Sequence, residues 1–239
     1  AAAEMGYRCH IYAPEENSVA AEVAAEFTCA DYDDVAALSA FADSCDVITY
    51  EFENVPVAPL RVIEEGATIR PNIRALEIAQ DRVEEKNFAS ALGGKTAKFA
   101  TVTSSEDAAA ALDTVGYPAI LKTIRMGYDG KGQARVHSAD GLSDALGQIG
   151  QQTAIAEAMV QFEAEFSVIL ARNAQGEIRF WDSPRNRHDG GILALSVLPA
   201  GGLIEAQQEE ARKLAAAAAQ ALDFIGVMTM EFFATAEGP

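Results

Sequence analysis

Lys122 closes a short apolar run, Ala119-Ile120-Leu121, and three glycines follow within ten residues, at Gly127, Gly130 and Gly132. Those residue types at that spacing suit the handling of a polyanion. Glycine lets the backbone enter positive φ and approach a ligand closely, so that successive N–H groups form an anion nest, and lysine adds a point charge. Pro118 ahead of the run marks a turn, and Ala134-Arg135-Val136 alternates as a half-buried strand does, so the loop is predicted to join strand to strand. That setting excludes a Walker loop, which needs G-x-x-x-x-G-K-[ST] opening a helix, and excludes a Rossmann turn on the same ground. On the loop alone, a phosphate nest and a glycine-rich hairpin tip with solvated Arg125 and Lys131 stand equally open.

Other side chains could complete such a site. Asp129 within the loop would repel phosphate unless it turned toward a metal or a cationic or amine donor, which makes it a candidate for an amino-bearing second substrate. Glu157 closes one predicted strand and Glu165 opens the next; the pair either flanks a cleft, where carboxylates accept from ribose hydroxyls or an amino group, or is two exposed surface glutamates. Glu231 lies in Val227-Met228-Thr229-Met230-Glu231-Phe232-Phe233, where a carboxylate is costly unless paired or bound to a metal, with magnesium the expected ion. His188 falls in Pro184-Arg185-Asn186-Arg187-His188-Asp189-Gly190-Gly191, read as a polar loop, where a solvated histidine is the commoner case. Glu51 and Glu53 follow the end of a predicted strand, the edge of a parallel sheet that ligands favour.

The elements that must position these residues change character along the chain. Strands over 8–12, 28–30, 46–50 and 68–69 alternate with helices over 18–27, 33–42 and 59–65, which predicts a doubly wound parallel sheet of Rossmann-like α/β type. A helix over 73–92 follows, and the Gly93-Gly94 stop introduces a second, α+β domain. There Thr103-Ser104-Ser105-Glu106 is a capping signature ahead of a helix to 115, and 138–148 reads as another helix. Strands over 154–156, 166–171 and 177–181 are expected to be mostly antiparallel, and a helix over 207–224 leads into a strand over 227–233. The expected domains are 1–72 and 73–239, with a lid at about 98–160.

The 239 residues are 49% hydrophobic and 23% charged, the composition of a globular protein. Eighteen basic against 36 acidic residues, net −18, argue against nucleic acid or an anionic membrane as partner, so any phosphate must meet a local basic pocket. Cys9, Cys29 and Cys45 have neither an even count nor CxxC spacing, so reduced thiols in a cytoplasmic protein are expected. The first residues lack a leader pattern, and the apolar stretches are too short to span a bilayer.

Four segments together resemble the ATP-grasp enzymes, and within them the branch that carboxylates an aminoimidazole ribonucleotide in purine biosynthesis. They are Thr49-Tyr50-Glu51-Phe52-Glu53-Asn54-Val55-Pro56, Gln80-Asp81-Arg82 with Lys86, Leu121-Lys122-Thr123 followed by Gly127-Tyr128-Asp129-Gly130-Lys131-Gly132-Gln133, and Ser167-Val168-Ile169 with Ala171-Arg172. The resemblance runs over nearly the whole chain and implies a pre-ATP-grasp domain followed by an ATP-grasp domain. It implies that ATP is bound by Arg82, Lys122, the loop from Gly127 to Gln133, a hinge of Glu157, Ala158, Met159 and Val160, and by Glu165 and His188, with Glu231 holding magnesium. Lys122 and Asp129 are the implied catalytic residues, and Glu53, Tyr128, Asp129 and Lys131 the substrate-binding ones. Bicarbonate and aminoimidazole ribonucleotide are the implied substrates, and a homodimer the implied assembly.

Departures from the family pattern set further expectations. The chain lacks the opening strand with its GGGQLG-type turn and the Asn-Glu pair and small final domain expected beyond Glu231, so it is expected to be a piece cut at both ends, with weak or absent turnover. Arg185 stands where the loop before His188 usually carries an acidic residue. A formate-dependent glycinamide ribonucleotide transformylase would share the fold and ATP site, and a silent nucleotide-binding module would lack the chemistry altogether.

Overall fold

The computed structural model describes residues 2–127, 131–150 and 152–239. The chain divides into two compact units, Ala1–Glu77 and Ile78–Pro239. Among the described residues no helix is long and apolar enough to cross a membrane.

In the first unit β1 (His10–Ala13) and β2 (Glu26–Cys29) pair in parallel, with His10 opposite Glu26. The helix expected over 18–27 does not form. A 3-10 turn, Val19–Val23, makes the crossover instead, because Phe27 and Thr28 are taken into the sheet, where strand pairing overrides the helix propensity of the preceding alanines. Asp34 caps α1 (Val35–Asp43) by accepting the Ala37 N–H, and α2 (Val57–Ile63) and α3 (Ile73–Ala79) follow. Where strands were expected at 46–50 and 68–69, Ile48 and Ile69 make a single parallel bridge. Leu38, Phe41, Leu60, Ile63, Ile69, Ile73 and Leu76 form the core beneath these helices.

The helical stretch expected over 73–92 breaks at Asp81, which is extended at φ −121°, ψ 109° and accepts the N–H groups of Val83 and Glu84. A short carboxylate that bonds the backbone ahead of it starts a helix rather than continuing one. So α4 (Arg82–Ala91) is a separate helix with its first residue, Arg82, fixed by the cap. Asp81→Ala is expected to cost about 1 kcal/mol in a urea titration, the usual worth of an N-cap.

Two sheets build the rest of the second unit. β3 (Phe99–Val102), β4 (Ala119–Thr123), β5 (Gln133–Val136) and β6 (Ala154–Ala158) form an antiparallel sheet in the order β3-β6-β4-β5. α5 (Ser105–Val115), capped by Ser104 on the Asp107 N–H, one residue later than the Thr103–Glu106 signature reads, and α6 (Leu142–Gln148) share one core with it, containing Val102, Leu112, Leu121, Val136 and Leu146. Along β4 burial alternates: Ala119, Leu121 and Thr123 are buried, whereas Ile120 and Lys122 point to the other face.

In the second sheet β7 (Ala164–Arg172), β8 (Ile178–Phe180), β9 (Arg185–Asp189), β10 (Ile192–Val197) and β11 (Gly226–Ala234) are ordered β10-β9-β7-β11, with β8 on β7. One face is closed by α7 (Gly202–Ala221), with Phe166, Val168 and Leu170 of β7 fully buried. By the two-residue alternation, Glu165 and Ser167 occupy the opposite face of β7, and the register places Phe233 and Glu231 of β11 beside them. The polar stretch holding His188 is therefore not a loop. It is a β9–β10 hairpin turned by Gly190 at φ +63° and Gly191 at φ +87°, the double positive φ that a tight two-residue turn requires.

Candidate functional site

Lys122 pairs across the sheet with Gln133 of β5 and Ile155 of β6, and Glu157 lies two residues beyond Ile155 on the same face. That diagonal is within reach of long side chains. Lys122 Nζ stands 2.6 Å from Glu157 Oε2, and Lys86 Nζ of α4 stands 3.2 Å from the other oxygen, Oε1. Lys86 comes one helical turn after Arg82, on the same face of α4, and its ammonium is 5.8 Å from the centre of the Phe99 ring. Burial would push the Glu157 carboxyl up, but Lys122 and Lys86 outweigh it and hold the group below the usual carboxylate range. Glu85 beside them is pushed up, chiefly by the crowding of protein around its carboxyl although part of its side chain meets solvent, against the opposing pull of Arg82 and Lys86.

Arg82 braces the glycine loop. Its Nε donates to the Thr123 carbonyl at 3.2 Å and its Nη2 to the Gly127 carbonyl at 2.7 Å, while its backbone N–H donates to the Ile124 carbonyl at 3.1 Å. Arg125 pairs with Asp81 at 3.2 Å. Across the base of the loop, the Thr123 N–H donates to the Gly132 carbonyl at 2.7 Å. Gly132 sits at φ +67°, and a Cβ there would lie 2.6 Å from Thr123 Oγ1; one on Gly127 would lie 3.1 Å from both that oxygen and Arg82 Nη2. Gly132→Ala is therefore expected to cost about 1–3 kcal/mol in urea unfolding and to splay the loop base, since neither the dihedral nor the space accepts a methyl. Lys131 is exposed just before it, and Tyr128, Asp129 and Gly130 lie outside the described residues.

The second cluster lies on the open face of the other sheet. His188 Nδ1 is 2.8 Å from Glu165 Oε2, and His188 Nε2 is 3.6 Å from Glu231 Oε1. Behind it, Asn186 Nδ2 donates to Ser167 Oγ at 2.5 Å and Asn186 Oδ1 accepts from Ser196 Oγ at 2.9 Å, which fixes β9 against β7 and β10. Arg185 points to the opposite face of β9 and reaches the Ala200 carbonyl at 3.3 Å, so its departure from the family pattern leaves the His188–Glu165 contact untouched. The two clusters are linked by the chain between β6 and β7, where the Ala158 N–H donates to the Lys98 carbonyl and the Met159 N–H to that of Pro118, and Val160 is half-buried.

Several expectations need correction. Glu157 and Glu165 are not surface glutamates: the first is 6% exposed, and both are partnered. His188 is a half-buried strand residue held by a carboxylate, not a solvated loop histidine. Glu231 is not an acid among apolar neighbours, because alternation along β11 turns it to the open face with 59% of its side chain exposed. An accessible carboxylate of that kind, with His188 Nε2 3.6 Å away, fits magnesium, which takes one or two carboxylates and completes its shell with phosphate oxygens and waters. Among the described residues no group of three or more His, Cys, Asp or Glu side chains is arranged to hold a metal by itself. Glu51 and Glu53 lie exposed in the first unit between Ile48 and α2. Lys86, not among the expected site residues although grouped with Arg82 in the family-like segment, shares Glu157 with Lys122; its spacing of four from Arg82 was a further signal.

The chain matches the ATP-grasp domain over residues 87–238 and the ribonucleotide synthetase preATP-grasp domain over residues 1–80. It is 43% identical over 240 residues to an N5-carboxyaminoimidazole ribonucleotide synthase of Brucella melitensis, covering all of this chain and 66% of that protein. Its fold is similar to the crystal structure of N5-carboxyaminoimidazole ribonucleotide synthetase from Thermus thermophilus, with TM-score 0.91 and 39% identity over 99% of this chain and 64% of that one. It is likewise similar to N5-carboxyaminoimidazole synthetase from Staphylococcus aureus complexed with ADP, with TM-score 0.90 and 35% identity over 97% of this chain and 61% of that one. The chain thus spans somewhat under two thirds of the length of these relatives.

Proposed function

Because the chain belongs to the ATP-grasp family, with a ribonucleotide synthetase preATP-grasp domain ahead of the ATP-grasp domain, we propose that it serves the ATP-dependent carboxylation of 5-aminoimidazole ribonucleotide. Bicarbonate is the carboxyl donor, and the products are 5-(carboxyamino)imidazole ribonucleotide, ADP and phosphate. The observation that carries the reading is the Lys86–Glu157–Lys122 network at the foot of a glycine loop braced by Arg82, a local excess of positive charge in an acidic protein. The choice of bicarbonate and an aminoimidazole rests on likeness to relatives that bear the name of that synthesis.

In the first step a bicarbonate oxygen takes the γ-phosphoryl group, the bond to the β-phosphate oxygen breaks, and ADP leaves. In the second the amine nitrogen bonds to the carboxyl carbon as its bond to the phosphate oxygen breaks, and the nitrogen loses a proton. Lys122, Lys131 and the amides of Gly127, Gly132 and Gln133 would neutralise charge on the moving phosphoryl group, and closure of the loop would keep water from the mixed anhydride. Glu157, Ala158, Met159 and Val160 would line the adenine, and Glu165, oriented by His188, would accept from the ribose. Glu231 would hold magnesium, which when bound draws charge from the phosphate oxygens. Tyr128, Asp129 and Lys131 would meet the ribonucleotide. The working protein is taken to be a cytoplasmic homodimer by family resemblance alone.

ADP release tests the reading. With Mg-ATP, it is expected to rise on adding bicarbonate and aminoimidazole ribonucleotide together, and not on adding formate and glycinamide ribonucleotide; the opposite preference would assign the chain to the formate-using branch. Magnesium-dependent ATP binding without ADP release from either pair would make the 239-residue chain a nucleotide-binding module.

A further inference from the structure

Glu157 is 6% exposed, yet it serves two ammonium groups, one on each oxygen: Lys86 at 3.2 Å and Lys122 at 2.6 Å. The two lysines differ in freedom. Lys86 is 17% exposed, rises from a capped helix and also lies over the Phe99 ring, whereas Lys122 is 24% exposed and projects from the strand that runs into the glycine loop. The Lys122 ammonium has three N–H donors, so it can reach a phosphate either by spanning the two groups or by lengthening its 2.6 Å contact with Glu157. Were Lys122 the sole partner, its departure would strand a buried anion, a penalty of several kcal/mol.

We infer that Lys86 is a positioning residue: it holds Glu157 by the second oxygen, so that Lys122 can leave that carboxylate for a nucleotide phosphate without stranding it. Lys86 therefore acts on nucleotide affinity through Glu157 and Lys122. This rests on the proposed role of Lys122 in ATP binding, and the experiment separates the two. Mg-ATP affinity is measured by calorimetry for the chain, for Lys86→Met, for Glu157→Gln and for the double variant. Lys86→Met is expected to weaken binding by about tenfold or more, and Lys86→Arg to restore most of it. In the Glu157→Gln background the same exchange is expected to change affinity by less than about twofold, since no anion remains to be held. A loss that persists in that background would show Lys86 touching the nucleotide directly and would overturn the inference.

A second readout needs no nucleotide. Acylation of Lys122 by an amine-reactive ester, followed by mass spectrometry, is expected to slow about threefold or more in Lys86→Met, because Glu157 is then left to Lys122 alone, and to quicken in Glu157→Gln. Unchanged Lys122 reactivity in Lys86→Met contradicts the inference. If the unaltered chain binds no Mg-ATP, the functional reading falls while the acylation result still decides the role of Lys86. Should Lys86→Met fail to fold, Lys86→Gln takes its place in both measurements.

Discussion

Lys122→Met is expected to weaken Mg-ATP binding by at least about tenfold and to lower any ATP-dependent phosphate release by about a hundredfold or more, the scale seen when one preorganised charge partner of a transferring group is removed. The expectation follows from placement. Lys122 is directed away from the buried face of β4 by strand alternation, one residue before the Thr123–Gly132 link that closes the loop. Folding should be nearly indifferent to the same change, because Glu157 keeps Lys86 as a partner. A urea midpoint close to that of the unaltered chain, together with lost binding, is the predicted signature. Retained binding would remove Lys122 from the site, and a large loss of stability would make it a structural lysine.

Glu157→Leu is expected to do the reverse and damage the fold. It removes the carboxylate that two mostly buried ammonium groups share, so that both lose their ion pair at once, and leaving buried charge uncompensated in that way costs about 3 kcal/mol or more. Urea unfolding measures this directly, and a loss below about 1 kcal/mol would put the network on a par with a surface ion pair. The pH dependence has a definite sign. The Glu157 carboxyl is held below its ordinary value in the folded chain, so its stabilisation is complete above the ordinary carboxylate range. It is lost as pH falls through that range to the lowered folded value. Glu157→Gln should flatten that part of the acid limb; an unchanged acid limb would mean that other carboxylates govern it.

The β4–loop–β5 hairpin was legible because a short apolar run, clustered glycines and an alternating strand are local signals, and β4 and β5 pair as expected, with Lys122 opposite Gln133. Glu157 and Glu165 were legible as strand-end carboxylates, but not that one is buried between two lysines, because the diagonal on β6 and the approach of α4 are tertiary facts. His188 was misplaced for a different reason. The segment from Arg185 to Asp189 is polar because one face of β9 is exposed and the other carries site residues, so it shows no apolar alternation. Its Gly190-Gly191 turn was the usable signal, and the apolar run Ile192–Val197 beyond it completed the hairpin. The alanines over 18–27 imitate a helical period, and only pairing with β1 shows that the segment ends as a strand. Asp81 hid a helix boundary within a continuous helical pattern, and with it the reason that Arg82 points at the loop.

The central claim is that this chain binds a nucleotide through the lysine and glycine loop of its second unit. Calorimetric titration of Mg-ATP into the unaltered chain and into Lys122→Met tests it most directly. Saturable binding by the unaltered chain, with one nucleotide per chain and at least about tenfold weaker affinity in the variant, is the predicted result. No binding to the folded chain, or equal affinity in the two proteins, would contradict it.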